Sequence, residues 1–265
     1  MDYSAGYYPG HGFFHRLDPR VKIALMAILT IIVPLVRHVY IAVAMLLTVV
    51  VLWCISGLPL RIMGGYLKML RGIIAFLFVV QAILHPGEVA LIDPLIPPSV
   101  PLIGGKGSVT MEGLLFAALI TVRLLALALA FFLVTVTTPI HLFTLGLVRL
   151  GLPYQLAYTI TTAFNLVPTL QAEAKLIMDA QRLRAFSAFE QRNPLARMKA
   201  YPLLLTPLVI GAMRRAQLMA VAMESRGFGS EGERTYIEDI AMETKDWVFV
   251  GLTTLYCVAV LAVNF

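Results

Sequence analysis

Long apolar runs, separated by short polar segments, constrain this chain more than any other feature of its sequence. The runs occupy residues 21–36, 39–56, 72–91, 113–136 and 247–264. Each is close to the roughly 20 residues that an α-helix needs to cross a bilayer. Only 14% of the 265 residues are charged, whereas soluble domains average about 25%. We therefore predict an all-α integral membrane protein with about five transmembrane helices and termini on opposite sides of the membrane.

The distribution of Lys and Arg predicts how these helices are oriented. Most of the 21 basic residues precede the first run, lie between the second and third runs, or fall in the long segment 139–246. Arg61, Lys68 and Arg71 form the middle group, which we expect in a loop joining spans two and three. Because positive residues concentrate in cytoplasmic loops, the N-terminus and the long segment are predicted to be cytoplasmic and the C-terminus external.

Arg123 lies inside the fourth apolar run. A charge at that depth costs roughly 3 kcal/mol on insertion scales unless it is paired or reaches water. Three interpretations stay open for it: a polar contact between helices, snorkelling of the side chain to the membrane surface, or a direct part in transport.

The segment 139–246 does not resemble a set of ordinary membrane crossings. Prolines interrupt it repeatedly and it carries many charges. We predict three parts in the chain: a membrane domain with spans one to four over 1–138, a cytoplasmic or interfacial coupling region over 139–246, and a final transmembrane helix over 247–265. The two cysteines, Cys54 and Cys257, lie in apolar runs and favour neither a disulfide framework nor a metal site.

Two stretches of the coupling region have the periodicity of long amphipathic helices. Residues 154–185 place Leu and Ile at three- and four-residue steps opposite a face with Glu173, Lys175 and Asp179, a pattern typical of a helix with one apolar side. Pro168 should kink this helix near its middle. Residues 203–225 repeat the plan, with methionines on the apolar side. Methionine packs adaptably, and these side chains are compatible with either simple core or a recognition surface.

Each amphipathic stretch ends in an arginine flanked by small or apolar residues. The first end is Leu183-Arg184-Ala185 and the second is Ser225-Arg226-Gly227. Gly227 is predicted to adopt the left-handed conformation that stops a helix, with the following side chain folding back on the last turn. A guanidinium group at such an end can form forked bonds with a partner's carboxylates. The alternative is that these arginines only cap helix carbonyls or bind lipid phosphate. The neighbouring residues that we expect to support the two ends are Gln181, Arg182, Glu224 and Phe228.

Several further motifs accompany the two arginine triplets. They are His15-Arg16-Leu17-Asp18-Pro19-Arg20-Val21-Lys22 before the first span, Thr121-Val122-Arg123, residues 135–139 and Leu150-Gly151-Leu152-Pro153. Together these motifs resemble those of one family, the transmembrane T components (EcfT/CbiQ type) of energy-coupling factor transporters, a group of ABC importers of vitamins and metal ions. In that family the triplets are X-Arg-X motifs at the tips of two coupling helices. The first triplet often ends in glycine there, and Ala185 departs from this pattern.

The resemblance implies a role that composition does not show. A T component joins two cytoplasmic ABC ATPase subunits to a substrate-binding S component in a prokaryotic plasma membrane, and passes the ATP-driven motion of the ATPases to the S component. By this resemblance the chain is itself not an enzyme, has no catalytic or metal residues, and binds no cofactor, because ATP and Mg²⁺ are held by the ATPase partners.

Two other function classes fit the sequence less well. A membrane enzyme that modifies lipids would need clustered acids or a His and Glu constellation, and the acidic residues and five histidines are scattered. A self-sufficient secondary transporter would show repeats with matching ionisable residues near the midplane, and no such repeat is visible. A phosphate-binding GxxxxGK[ST] loop is missing from the sequence, and the net charge of +6 follows from topology and an anionic inner leaflet rather than from binding to nucleic acid.

Overall fold

The computed structural model describes residues 7–10, 12–84, 90–92, 109–184, 186, 194–230 and 240–264. Within these residues the chain forms a short 3-10 helix at Phe13–Arg16, eight α-helices and one antiparallel pair of very short strands. The helices are α1 (Pro19–Leu35), α2 (Val39–Ile55), α3 (Leu60–Leu84), α4 (Met111–Thr137), α5 (Ile140–Arg149), α6 (Tyr154–Leu183), α7 (Pro194–Ser225) and α8 (Thr244–Asn264). The strands are β1 (Ala90–Ile92) and β2 (Val109–Thr110). The predicted all-α class is confirmed, with this strand pair as a small addition between α3 and α4.

Four of the described helices are long and apolar enough to cross a membrane: α3, α4, residues Ala200–Ser225 of α7, and α8. Three of them match predicted spans. The other two predicted spans correspond to α1 and α2, which have 17 residues each and so lie at the lower limit of spanning length. Residues 200–225 qualify by composition although their sequence pattern is amphipathic, because an average over a helix does not register which face its charges occupy.

The loop predicted between the second and third spans is much shorter than expected. Arg61, Lys68 and Arg71 lie on α3, which begins at Leu60. The prediction was wrong because the apolar run marks only the part of a helix that suits lipid. Backbone hydrogen bonding continues the same helix through the polar residues that precede the run.

The chain divides into two compact units. The first comprises residues 1–146 and 240–265, and the second comprises 147–239. In the first unit α4 packs against α1, α2 and α3. Large side chains that are almost fully buried fill this core, among them Phe14, Met45, Trp53 and Leu133. The outer side of α3 is apolar and exposed, with Met69 and Phe76 among its most exposed side chains, as expected for a helix that faces lipid.

Helices α1 and α8 run parallel and are joined at both ends by side-chain hydrogen bonds. At their start, the backbone N–H of Asp18 donates to Asp246 Oδ1 at 2.9 Å. At their end, Asn264 Oδ1 accepts from the backbone N–H of Arg37 at 2.7 Å, and Asn264 Nδ2 donates to the carbonyl of Leu35 at 3.0 Å. A parallel first and last helix is the arrangement that an odd number of crossings requires.

Candidate functional site

The second unit is built around an antiparallel pair formed by α6 and α7. Near the start of α6, the ring of Phe228 packs on Tyr154 and Tyr158, with ring centroids 5.7 and 4.9 Å apart. Further along, Glu173 Oε2 accepts a charged hydrogen bond from Arg215 Nη2 at 2.8 Å. Contact positions therefore rise along α6 as they fall along α7, so that the two helices end in opposite directions.

Gly211 lets the two helices approach closely at the Glu173–Arg215 ion pair. A β-carbon built on Gly211 would lie 2.8 Å from Glu173 Oε1. A larger side chain would therefore push the carboxylate away from its arginine. Since both partners of the pair are partly shielded from solvent, the pair is worth more than a fully exposed one, which contributes about 0–1 kcal/mol.

The end of α7 has the hydrogen-bond pattern of a Schellman motif. Gly227 has φ +68°, as its sequence position predicted. Its N–H donates to the carbonyl of Glu224 at 3.0 Å, and the N–H of Phe228 donates to the carbonyl of Met223 at 3.0 Å. Phe228 folds back as expected and is half-buried against α6. The main chain around Arg226 is thus held at several points while its side chain stays exposed.

The end of α6 repeats part of this pattern. The N–H of Phe186 donates to the carbonyl of Gln181 at 3.1 Å, which is the same six-to-one bond that Phe228 makes to Met223. Arg184 is the C-cap residue, and its N–H also donates to Gln181. Ala185, at the position of Gly227, lies outside the described residues. The bond from Phe186 to Gln181 is the part of the pattern that the described residues at this end share with the end of α7.

The described side chains of the two triplets are exposed to solvent. Leu183 is 92% exposed, and Arg184, Glu224, Ser225 and Arg226 are also exposed. Arg182 forms an exposed ion pair with Asp179 at 3.3 Å and so belongs to the wall of α6 rather than to its tip. An exposed guanidinium group on a fixed backbone is suited to bind carboxylate or carbonyl oxygens of a partner in a defined orientation.

The structure does not bring the two triplets together. Each arginine lies eleven residues beyond the Glu173–Arg215 pair on its own helix, which is about 16 Å at 1.5 Å per residue. Because the helices are antiparallel, the two tips point away from each other and lie about 33 Å apart along the pair. The second unit thus has two separate exposed helix ends, and the two arginines do not form one composite site.

A groove of about 540 Å³ adjoins Arg226. Its apolar lining includes Leu218, Met219 and Met223, and Tyr158 and Phe228 form an aromatic side. Arg215 also reaches it, and the buried Nη1 atom of that residue has no hydrogen-bond partner within the described part of the chain. Met219 and Met223 therefore line an open groove. An apolar side chain with a nearby acidic group is the chemistry that this groove would accept.

Sequence reasoning missed several residues that shape the two ends. Phe186 could have been found, since it follows Arg184 at the spacing by which Phe228 follows Arg226. Tyr158, Glu173 and Gly211 gave no comparable signal, because their roles depend on how α6 and α7 align. Arg123 lies within α4, partly buried, and its Nε atom has no hydrogen-bond partner among the described residues. In the ranges that the structure covers, no cluster of three or more His, Cys, Asp or Glu residues could hold a metal ion.

Comparison with known proteins identifies the family of the chain. Residues 10–237 match the family model described as CbiQ, cobalt transport protein. A protein of Thermosediminibacter oceani is 33% identical over 91% of this chain and 89% of its own length. Proteins of Heliobacterium modesticaldum, at 33% identity over 95% and 94%, and of Bacillus selenitireducens, at 30% over 98% and 96%, are similar over nearly their whole lengths. All three are named energy-coupling factor transporter transmembrane protein EcfT. The chain therefore belongs to the EcfT/CbiQ family of transmembrane components of energy-coupling factor transporters.

Proposed function

We propose that this chain is the coupling subunit of an ABC importer of the energy-coupling factor type. It transmits the motion of two cytoplasmic ATPase subunits to a substrate-binding S component that takes up a vitamin or a metal ion. ATP and Mg²⁺ are bound by the ATPases and not by this chain. As a multi-pass protein of a prokaryotic plasma membrane, the chain has its N-terminus and its second unit on the cytoplasmic side.

The observation that carries the proposal is the pair of exposed arginines at opposite ends of one supported helix pair. Two ends that point apart suit two partner subunits better than one. Each end is closed by main-chain hydrogen bonds, so that little conformational entropy has to be lost when a partner binds the arginine. Membership in the EcfT/CbiQ family supports the identification of those partners as the ATPases.

The groove beside Arg226 supports a docking surface larger than the arginine alone. An ATPase residue that reaches Arg226 would also cover Met223 and Phe228, which line the groove. Buried apolar surface of this kind contributes about 25 cal/mol of binding free energy per Å². The hydrogen bonds of the guanidinium group fix the orientation of the partner. The two kinds of contact together describe a helix tip that fits a partner's surface.

The test is the paired substitution of Arg184 and Arg226. Truncating a buried, forked charge contact costs about 2–5 kcal/mol, so Arg226→Ala alone should weaken ATPase binding by at least about 30-fold. The double substitution should abolish copurification of the ATPases and ATP-driven uptake. Lys in place of either arginine should rescue only partly, because an ammonium group cannot form the forked contact.

Arg214 offers a matched control. It is an exposed arginine on the same helix α7 but lies twelve residues from the tip. Arg214→Ala should change ATPase binding by no more than a solvated charge does, about 0–1 kcal/mol. Normal copurification and uptake by the Arg184→Ala/Arg226→Ala double variant would mean that the arginines are ordinary interfacial charges.

A further inference from the structure

The segment Asp18-Pro19-Arg20-Val21-Lys22 lies where three helix ends of the first unit meet. Asp18 is the N-cap of α1, and its Oδ1 accepts from the N–H of Arg20 at 2.8 Å. Lys22 Nζ lies at the end of α4, where it donates to the carbonyl of Thr137 at 3.3 Å and to Thr138 Oγ1 at 3.1 Å. The start of α8 completes the cluster through Asp246.

The charges of this cluster match the helix ends that they occupy. Carboxylates are favoured at helix N-termini and ammonium groups at C-termini. Asp18 and Asp246 stand at the beginnings of α1 and α8, and Lys22 stands at the end of α4. The three side chains are almost completely buried, at 4%, 3% and 1% exposure respectively.

Burial makes these bonds hard to exchange for water. A buried polar group that loses its hydrogen-bond partner costs roughly 1–3 kcal/mol. The bond from Asp18 to Asp246 and the bonds from Lys22 to Thr137 and Thr138 therefore hold these residues in place. Asp246 also holds the backbone before α8, since its Oδ2 accepts from the N–H of Glu243 at 2.9 Å. The cluster therefore fixes the ends of α1, α4 and α8 relative to one another.

The same segment also contacts the two places where the chain leaves and rejoins the first unit. The chain leaves after Gly146 and returns at Ile240. Gly146 packs directly on Pro19, since a β-carbon on Gly146 would lie 3.0 Å from Pro19 Cβ. Arg20 Nη2 donates to the carbonyl of Ile240 at 3.2 Å. Residues 18–22 thus contact the chain where it leaves the first unit, at Gly146, and where it returns, at Ile240. The same residues also contact the end of α4 and the start of α8.

We propose that residues 18–22, together with Asp246, form the anchor through which force from the second unit enters the membrane helices. This inference rests on the proposed coupling function only for its mechanical consequence. Without the anchor, the two connections would yield when the second unit moves, and the displacement would be lost before it reached α1, α4 and α8. Lys22 and Asp246 are positioning residues in this role, because neither has to touch a partner.

The first experiment tests the anchor without reference to transport. Spin labels are placed at Arg16 and Lys245, two exposed residues on either side of one small cavity in the first unit, after Cys54→Ser and Cys257→Ala remove the native thiols. In nanodiscs the wild-type background should show strong dipolar coupling between the labels. Lys22→Met and Asp246→Asn should each lose or broaden it.

Asn264 is the matched control. It joins α8 to α1 by partly buried side-chain hydrogen bonds, at the end of these helices far from the connections to the second unit. Asn264→Leu should lower thermal stability and leave the dipolar coupling between positions 16 and 245 unchanged. Unchanged coupling in both anchor variants, or an equal loss in Asn264→Leu, would overturn the anchor.

The second experiment tests transmission in the complex with both ATPases. A spin label is placed at Met69 on the exposed side of α3. The response measured is the change in the line shape of its spectrum when MgATP is added. The response should be present in the wild type and in Asn264→Leu, and lost in Lys22→Met and Asp246→Asn while the ATPases still copurify. Preserved responses in both anchor variants would overturn the proposal. A wild type that lacks the response while the dipolar result stands would count against the coupling function and leave the anchor intact.

Discussion

Replacing Gly227 with alanine tests whether the turn that ends α7 is what presents Arg226 to a partner. Gly227 has φ +68°, a conformation that costs a residue with a β-carbon about 1–2 kcal/mol. The added β-carbon would meet only Ser230 Oγ, at 3.9 Å, so no steric clash adds to this cost. The expected penalty of about 1–2 kcal/mol lowers the population of the closed helix end roughly 5- to 30-fold.

Gly57 supplies a control with the same backbone strain in the other unit. Its φ is also +68°, and a β-carbon there would meet nothing within 4 Å. Gly57→Ala and Gly227→Ala should therefore lower thermal stability by similar amounts in detergent. Only Gly227→Ala should weaken binding of the ATPases in a titration, by at most about 30-fold. Gly227→Asn should lie between wild type and alanine, because asparagine tolerates the left-handed region better.

Two outcomes would contradict a role for the Gly227 turn in ATPase binding. If Gly227→Ala loses stability but binds the ATPases like wild type, while Arg226→Ala binds weakly, then Arg226 acts without the turn that holds it. If Gly57→Ala weakens binding as much as Gly227→Ala does, the effect comes from general loss of stability.

Two further predictions concern the helix pair and the topology. Glu173→Gln removes a partly shielded 2.8 Å ion pair and should destabilise the protein by about 1 kcal/mol, whereas Asp179→Asn breaks only an exposed helical pair worth about 0.2–0.5 kcal/mol; equal thermal shifts would contradict the role given to Glu173. Single cysteines at Tyr40 and Lys245, both exposed, in a background without native thiols should react with an impermeant reagent from the outside and the cytoplasmic side respectively. Reaction of both from one side would contradict the proposed orientation.

Much of the fold could be predicted because a helix that crosses a membrane needs a long apolar run, which is visible in the sequence. Apolar runs located the helices that became α2, α4 and α8 to within a few residues. The start of α3 could not be found in this way, because Arg61 and Lys68 lie in a polar part of the helix that precedes the apolar run. Two of the predicted spans, α1 and α2, have 17 residues each and lie at the lower limit of spanning length. The count of apolar residues does not distinguish such short helices from full spans.

The candidate site was predictable where it depends on local chemistry. Glycine after arginine at the end of an amphipathic stretch is enough to expect the turn at Gly227, and the structure has it. The antiparallel alignment that places Phe228 on Tyr158 and Glu173 on Arg215 arises from contacts between residues far apart in sequence. Nothing in the local pattern of either helix indicates which turn of α6 meets which turn of α7.

The Glu173–Arg215 pair lies midway between the two arginine tips, eleven residues from each. Hydrogen-bonded helices keep a fixed rise per residue. If two partner subunits bind the tips as proposed, α6 and α7 therefore cannot shorten when those subunits move. Two such subunits that approach each other must instead rotate the helices about the point where they touch, or bend α6 at Pro168, where a backbone hydrogen bond is missing. The approach of the two partner subunits would then rotate α6 against α7, with the close contact at Gly211 as the pivot.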